Sequence, residues 1–118
     1  MAIISVLGEK NLAYGKRIAK CYAYLIKSNK ERSLPNQLLR SGTSIGANVR
    51  EGLSAQSRKD FINKMAIALK EANETDYWLK VMLDAEYFDQ RIYQSLKADN
   101  DELIALLTST VKTSRQNS

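Results

Sequence analysis

Apolar residues recur at intervals of three and four positions along nearly the whole chain, which is the spacing of amphipathic helices. Tyr14, Ile18 and Leu25 follow this spacing in the first segment, and Phe61 and Met65 begin another. Polar stretches such as SNKERSLPN and GLSAQS interrupt the pattern. It therefore predicts four helices followed by a loose C-terminal tail, TSRQNS, with the helices near residues 9–29, 35–52, 57–87 and 89–113.

Local signals predict where three of these helices begin. Ser57 followed by Asp60 resembles a capping box, and Asp89 can cap the fourth helix. Pro35 fits the first turn of the second helix, where a missing N–H costs nothing. The polar letters ADND at 98–101 are expected to fray or bend the fourth helix.

Four amphipathic helices with short connections pack most simply as an antiparallel up-down-up-down four-helix bundle. The length of 118 residues fits one domain, residues 1–118. A single proline and five glycines argue against an all-β fold. The predicted fold class is therefore all-α.

The stretch RSGTSIGANVREG, residues 40–52, could be a phosphate-binding loop or a helix kept thin for close packing. A P-loop needs a lysine after its second glycine and a strand before its first, and both are missing. On a helix, Gly42 and Gly46 lie near one face and let a neighbouring backbone approach. We therefore interpret both glycines as sites of close helix packing.

Beside that face runs a polar stripe of Arg40, Ser44, Asn48 and Glu51, spaced four, four and three. Glu71 and Glu74 occupy one face of the third helix, which an antiparallel arrangement brings opposite the second. We predict that Arg40 pairs with Glu74 or Glu71. These groups form either a structural polar network or a catalytic carboxylate pair, and we favour the network because no histidine or evident nucleophile accompanies them.

The net charge of +5 is unevenly distributed. Residues 1–70 carry thirteen Lys or Arg against four acids, whereas residues 71–89 carry one Lys against six acids. Such polarity suggests an anionic partner, although a basic face can also serve solubility alone.

In the predicted bundle the cations form two groups. The basic pole gathers Lys10, Arg50, Arg58, Lys59, Lys64, Lys112 and Arg115, and the lysine stripe of the first helix holds Lys16, Lys20 and Lys27, with Arg17 beside it.

The composition excludes several chemistries. The chain has no histidine, which removes the commonest general base and metal ligand, and its lone Cys21 cannot form an internal disulfide. No apolar run approaches the roughly 20 residues of a membrane span. We expect a cytoplasmic, non-enzymatic protein without metal or cofactor. The enzymatic alternative is a nuclease that holds a metal with Glu71, Glu74 and Asp76.

The letters QLLRSGTSIGANVREG and AQSRKDFINKMAIALKEANETDYWL resemble the four-helix-bundle family encoded in intervening sequences of bacterial 23S rRNA genes, also labelled S23-like. The resemblance covers residues 9–110 and is most specific between Gln37 and Leu79. That family is similar in fold to the accessory variability determinant protein of diversity-generating retroelements. The motif residues match at Arg40, Ser44, Asn48, Glu51, Glu71 and Glu74, whereas Pro35, Asn36 and Gly52 depart from the pattern.

The resemblance implies a ring-like homopentamer that binds nucleic acid. The expected function is that of an oligomeric accessory protein that binds RNA or DNA, with a reverse transcriptase as candidate partner. The alternative is a protein-interaction scaffold with no direct nucleic-acid role. Tyr77 and Trp78 fit a subunit interface and plain core packing equally well.

Overall fold

The computed structural model describes residues 2–117, with side chains for residues 4–117. This part of the chain forms four helices and no strand: α1 (Ala2–Ser28), α2 (Ser33–Leu53), α3 (Arg58–Asp84) and α4 (Gln90–Gln116). The molecule measures 47 × 22 × 19 Å. These dimensions fit side-by-side rods, because a 27-residue helix is about 40 Å long. The predicted all-α four-helix bundle is confirmed.

Neighbouring helices run antiparallel. As α1 advances from Gly8 to Ile18, the facing residues of α2 fall from Leu53 to Gly42. The contacts between α2 and α3, α3 and α4, and α4 and α1 follow the same order. The seam between α1 and α4 is the loosest of the four and is bridged by ion pairs. The core between the helices includes Leu7, Ile18, Leu38, Ile45, Met65, Leu79, Leu103 and Leu107.

The first helix begins at Ala2, seven residues before its predicted start near residue 9. Leu7 is fully buried and Asn11 nearly so, and both lie on the face that carries Tyr14 and Ile18. The helical stripe therefore begins before the letters GEK. The prediction was wrong because a single buried leucine is too short a signal to reveal a helical period.

The last helix continues to Gln116, so most of the predicted tail is helical. Buried Thr110 and Val111 anchor its final turns, and only Ser118 of the tail lies outside the described residues. The expected fraying at 98–101 is also wrong. Asn100 is fully buried there and donates its side-chain N–H to the Ala72 carbonyl at 2.9 Å, which ties α4 to α3.

The third helix ends at Asp84, three residues before the predicted end. Glu86 adopts a left-handed φ of 64°, and its N–H donates to the Leu83 carbonyl. The next N–H, of Tyr87, reaches back to the Met82 carbonyl at 2.9 Å. This pair of hydrogen bonds is a Schellman motif, a helix C-terminus that glycine usually provides. A glutamate in that position gave no stop signal in the sequence.

The predicted caps are confirmed at two helix starts. Ser57 Oγ accepts from the Asp60 N–H at 3.0 Å, and Asp89 Oδ1 accepts from the Ile92 N–H at 2.9 Å. At the start of α2 the carboxylate of Glu31 accepts from the Ser33 N–H instead. Each device satisfies a backbone donor that a helix N-terminus leaves without an intrahelical partner.

The face of α2 that carries Gly42 and Gly46 packs against α1. A Cβ added at Gly42 would stand 2.9 Å from Cγ2 of buried Ile18, and one at Gly46 would stand 3.4 Å from the Asn11 carbonyl oxygen. The first distance is shorter than carbon atoms tolerate, whereas the second is an ordinary contact. Close approach therefore depends most on Gly42. Within residues 2–117, no helix combines the length and apolar character needed to cross a membrane.

Candidate nucleic-acid interface

A polar cluster joins α2 to α3 at mid-height. Arg40 Nη1 donates to Glu71 Oε2 at 3.1 Å, and Nη2 donates to Glu74 Oε1. Trp78 Nε1 also donates to Glu74 Oε1, at 3.4 Å. Glu71 is 8% exposed, so its charge is held almost out of water by the guanidinium. The predicted pairing of Arg40 with these two acids is confirmed.

The rest of the predicted network does not reach this cluster. Ser44 donates to the Arg40 carbonyl at 2.5 Å and Asn48 to the Ser44 carbonyl at 2.8 Å, both within α2. Glu51 accepts instead from Lys64 Nζ at 3.3 Å, nearer the bundle end. The prediction of one six-residue network was wrong because short side chains on a helix satisfy themselves on the preceding turn.

Two buried hydroxyls that the sequence did not single out lie beside the cluster. Thr75 Oγ1 donates to the Glu71 carbonyl at 2.8 Å and lies 3.0 Å from Ser41 Oγ. Both residues are fully buried. Ser41 and Thr75 follow Gln37 and Glu71 by four residues and lie on the inner side of their helices. The sequence does not reveal this position, because it depends on how the two helices are rotated relative to each other.

The acids of α3 do not form a metal site. In the described part of the chain, no three His, Cys, Asp or Glu side chains lie together in a way that could hold a metal ion. Arg40 lies between Glu71 and Glu74, whereas Asp76 pairs with Lys80 at 2.9 Å on another face of α3. The three carboxylates of the nuclease alternative are therefore not brought together.

Three of the eleven candidate cations form ion pairs with acids among the described residues. Lys10 pairs with Glu102 at 2.6 Å, and this hydrogen bond raises the pKa of Lys10. Arg17 pairs with Asp99 at 2.5 Å and donates to Ser95. The third cation, Lys64, forms the pair with Glu51 described above. The sequence placed Lys10 at the basic pole and Arg17 beside the lysine stripe, but both turn towards α4.

The lysine stripe remains open. Lys16, Lys20 and Lys27 are exposed on the outer face of α1, and none forms an ion pair with another described residue. At about 1.5 Å of rise per residue, they stand about 6 Å and about 10 Å apart along the helix. Tyr24 lies on the same helix and is 61% exposed, as expected for a side chain outside the core.

The basic pole retains five of its seven predicted members. Arg50 lies in the last turn of α2, Arg58 and Lys59 begin α3, and Lys112 and Arg115 lie near the end of α4, all of them exposed. Arg58 donates to the Ser114 carbonyl at 3.3 Å, and it forms no ion pair with a carboxylate of the described residues. The structure thus brings these five cations to one end of the bundle, as predicted from the antiparallel order.

A surface groove between α1 and α2 was missed at the sequence level. It encloses about 560 Å³ and is lined mainly by small and aliphatic residues, among them Gly8, Leu12, Gly15, Gly46, Ala47 and Leu53. Leu12 and Leu53 are 56% and 46% exposed. The spacing of Gly8, Leu12, Gly15 and Ala19 does mark a second apolar face on α1, beside the core stripe, and was the available signal.

Comparison with models of protein families shows which family the chain belongs to. The model of the family described as 23S rRNA-intervening sequence protein matches residues 8–109. The chain belongs to this family. The match coincides closely with the range over which the intervening-sequence motifs are recognisable in the sequence. Comparison with curated proteins gave no significant match.

A solved structure supports the same assignment to the intervening-sequence family. The chain is similar to the crystal structure of a protein with unknown function from the S23 ribosomal protein family of Bacteroides thetaiotaomicron VPI-5482, with 48% identity and a TM-score of 0.91. The alignment covers 93% of this chain and 98% of the other. Fold and family are thereby established, whereas the function of that relative is described as unknown.

Proposed function

We propose that this intervening-sequence protein is a non-enzymatic accessory protein that binds the backbone of RNA or DNA. The observation that carries the proposal is the lysine stripe, Lys16, Lys20 and Lys27, exposed on one face of α1 without a carboxylate partner among the described residues. By contrast, the candidate cations Lys10, Arg17 and Lys64 are matched by acids. A stripe left unmatched is the feature expected of a surface that meets phosphates.

The physical basis is the release of counterions. Each phosphate that a lysine neutralises frees condensed cations, so affinity falls steeply as salt concentration rises. Small exposed neighbours, Ala13 and Ala23, allow a strand to approach the helix closely, and Tyr24 offers an exposed ring beside it. Contacts of this kind position a nucleic-acid backbone but do not read its sequence.

The basic pole extends this surface. Arg50 lines the same groove as Lys16, so the pole and the stripe are linked through these two cations. We also propose, from the family resemblance, a homopentameric ring and a reverse transcriptase as protein partner. A ring repeats the stripe and the pole around its axis, which would strengthen the field that a polyanion meets.

The second candidate function is a protein-interaction scaffold. The observation that favours it is the apolar groove between α1 and α2, where Leu12 and Leu53 expose apolar surface beside each other. The groove and the nucleic-acid surface share Lys16 and Arg50, so the two ligands would compete for these two cations.

The test compares two triple variants of equal charge by fluorescence anisotropy with a labelled single-stranded RNA at low salt. K16Q/K20Q/K27Q removes the open stripe, and K10Q/K64Q/K80Q removes three cations that are already paired. We expect the stripe variant to bind at least about tenfold more weakly than the paired-cation variant. Equal affinities, or no binding by the wild type, would refute the proposal.

A further inference from the structure

The groove between α1 and α2 combines open space with exposed apolar surface. A Cβ built at Gly15 meets no atom within 4 Å, so the groove is open where α1 lacks a side chain. Leu12 and Leu53 flank this space and are about half exposed. Because clustered exposed apolar side chains are costly in water, such a surface usually marks a binding site.

The groove also carries polar groups that no described residue satisfies. Lys16 and Arg50 lie along it, and neither has an acidic partner in the described part of the chain. Asn11, which is 3% exposed, lines the groove, and its Oδ1 accepts no hydrogen bond from residues 2–117. The groove thus offers an apolar floor and two cations, with one exposed acid, Glu9, beside Gly8, while Asn11 Oδ1 is itself buried.

We infer that this groove binds an acidic amphipathic helix of another protein, an inference that rests on the second candidate function proposed above. From Gly8 to Ala19 the α1 wall is about 17 Å long, or about three turns of a facing helix. Small residues on both walls let a third helix axis approach closely, as ridges packing into a groove require. Apolar side chains of the incoming helix would cover Leu12 and Leu53, while its carboxylates would meet Lys16 and Arg50.

Nucleic acid fits the floor of the groove less well than a helix does. The lining residues include no aromatic ring on which a base could stack. The gain from covering Leu12 and Leu53 requires an apolar partner surface, which a polyanion lacks.

A second copy of the chain fits less well because its own acids are engaged or scattered. Among the described residues, the carboxylates in ion pairs are Glu51, Glu71, Glu74, Asp76, Asp99, Asp101 and Glu102. The others are Glu9, Glu31, Asp60, Asp84, Glu86 and Asp89, and no helix carries two of these on neighbouring turns. The described helices therefore present no acidic stripe that would complement the groove.

The probe is a fluorescein-labelled peptide of about 14 residues, held helical by a lactam bridge. It carries leucines at i, i+4, i+7 and i+11 with glutamates on both flanks, and a matched peptide carries lysines instead. Fluorescence anisotropy with the full chain is expected to show binding of the acidic peptide at least about tenfold tighter than of the basic one. Equal binding of the two peptides would overturn the inference.

Gly15→Leu fills the groove without removing a charge. We expect it to weaken peptide binding at least about tenfold while RNA binding and thermal stability are retained, because the added side chain enters open space. Ala105→Leu, on the exposed face of α4, is the matched control and is expected to bind the peptide as the wild type does. Unchanged peptide binding by Gly15→Leu would contradict the inference.

Two further outcomes would reassign the groove. If light scattering shows that the wild type is oligomeric and Gly15→Leu is not, the occupant is a second copy and the inference is wrong. If Gly15→Leu abolishes RNA binding, the groove belongs to the nucleic-acid surface and the inference is again wrong. Retained RNA binding with lost peptide binding supports the inference independently of the stripe variants described above.

Discussion

Gly42 of α2 faces Ile18 of α1 so closely that a Cβ added at the glycine would stand 2.9 Å from Ile18 Cγ2. Ile18 is fully buried and branched at Cβ, so its side chain has little freedom to move aside. This contact limits how near the two helices can lie.

Gly42→Ala is expected to lower the free energy of unfolding by about 1 kcal/mol. Alanine gains up to about 1 kcal/mol of helix propensity over glycine, but overpacking against Ile18 costs about 1–3 kcal/mol. Gly15→Ala is the matched control, because its Cβ meets nothing within 4 Å, and it should raise the free energy of unfolding by up to about 1 kcal/mol. Urea denaturation of both variants checks the opposite signs, and a gain at Gly42 would disprove the steric account.

Glu86→Gly is expected to stabilise the protein by about 0.5–1 kcal/mol. Glu86 holds a left-handed φ of 64° at the C-terminus of α3, which costs an L-residue about 1 kcal/mol and costs glycine nothing. Glu86→Ala keeps the Cβ and should give no gain. Thermal denaturation separates the two, and equal melting temperatures would show that the end of α3 is unstrained.

Tyr14→Phe is expected to raise the free energy of unfolding by about 1 kcal/mol at neutral pH. The Tyr14 hydroxyl is buried and bonds to no other described residue, so its removal relieves a desolvation cost. The exposed Tyr24 provides the control, and Tyr24→Phe should leave stability unchanged. Urea denaturation measures both, and a loss at Tyr14 would reveal a hydrogen bond that matters.

The same pair of variants tests a dependence on alkaline pH. Burial raises the pKa of Tyr14 far above its ordinary value. A group whose pKa is raised by folding stabilises the native state below its unfolded pKa, here about 10, and that stability is lost as pH rises further. The advantage of Tyr14→Phe over the wild type should therefore widen by about 1 kcal/mol between pH 7 and pH 11. An unchanged difference would contradict the burial of this phenol.

Arg40→Met is expected to lower the free energy of unfolding by about 1–3 kcal/mol, because it leaves the nearly buried Glu71 without its guanidinium. The loss should be smaller when Glu71→Gln is added. Arg91→Met, at an exposed arginine with no ion pair in the described structure, should change stability by less than about 0.5 kcal/mol. Equal changes in the free energy of unfolding for Arg40→Met and Arg91→Met would show that the polar cluster does not stabilise the fold.

What the sequence predicts well is local or follows from the antiparallel order. Ser57 and Asp89 cap helices within three residues of themselves, so their letters alone identify the helix starts. The pairing of Arg40 with the acids of α3 follows because adjacent antiparallel helices joined by a short connection have nearly fixed relative heights.

The features that the sequence does not predict depend on how the helices are rotated relative to one another, or on an unusual backbone conformation. The partners of Lys10 and Arg17 lie across the α1–α4 seam, which joins the two ends of the chain, and no connection fixes its register. To predict the groove, one would have to know which apolar residues of α1 the other helices leave uncovered. Glu86, two residues after the last residue of α3, has a left-handed backbone conformation that a glutamate in the sequence does not indicate.

The salt dependence of RNA binding tests the central claim most directly. Each lysine–phosphate contact on a single strand contributes about 0.7 to the slope of log affinity against log salt concentration. We predict that K16Q/K20Q/K27Q lowers this slope by about 2 relative to the wild type, while K10Q/K64Q/K80Q leaves it nearly unchanged. Identical slopes for the wild type and the stripe variant, or affinity that does not depend on salt, would contradict a phosphate-binding role for α1.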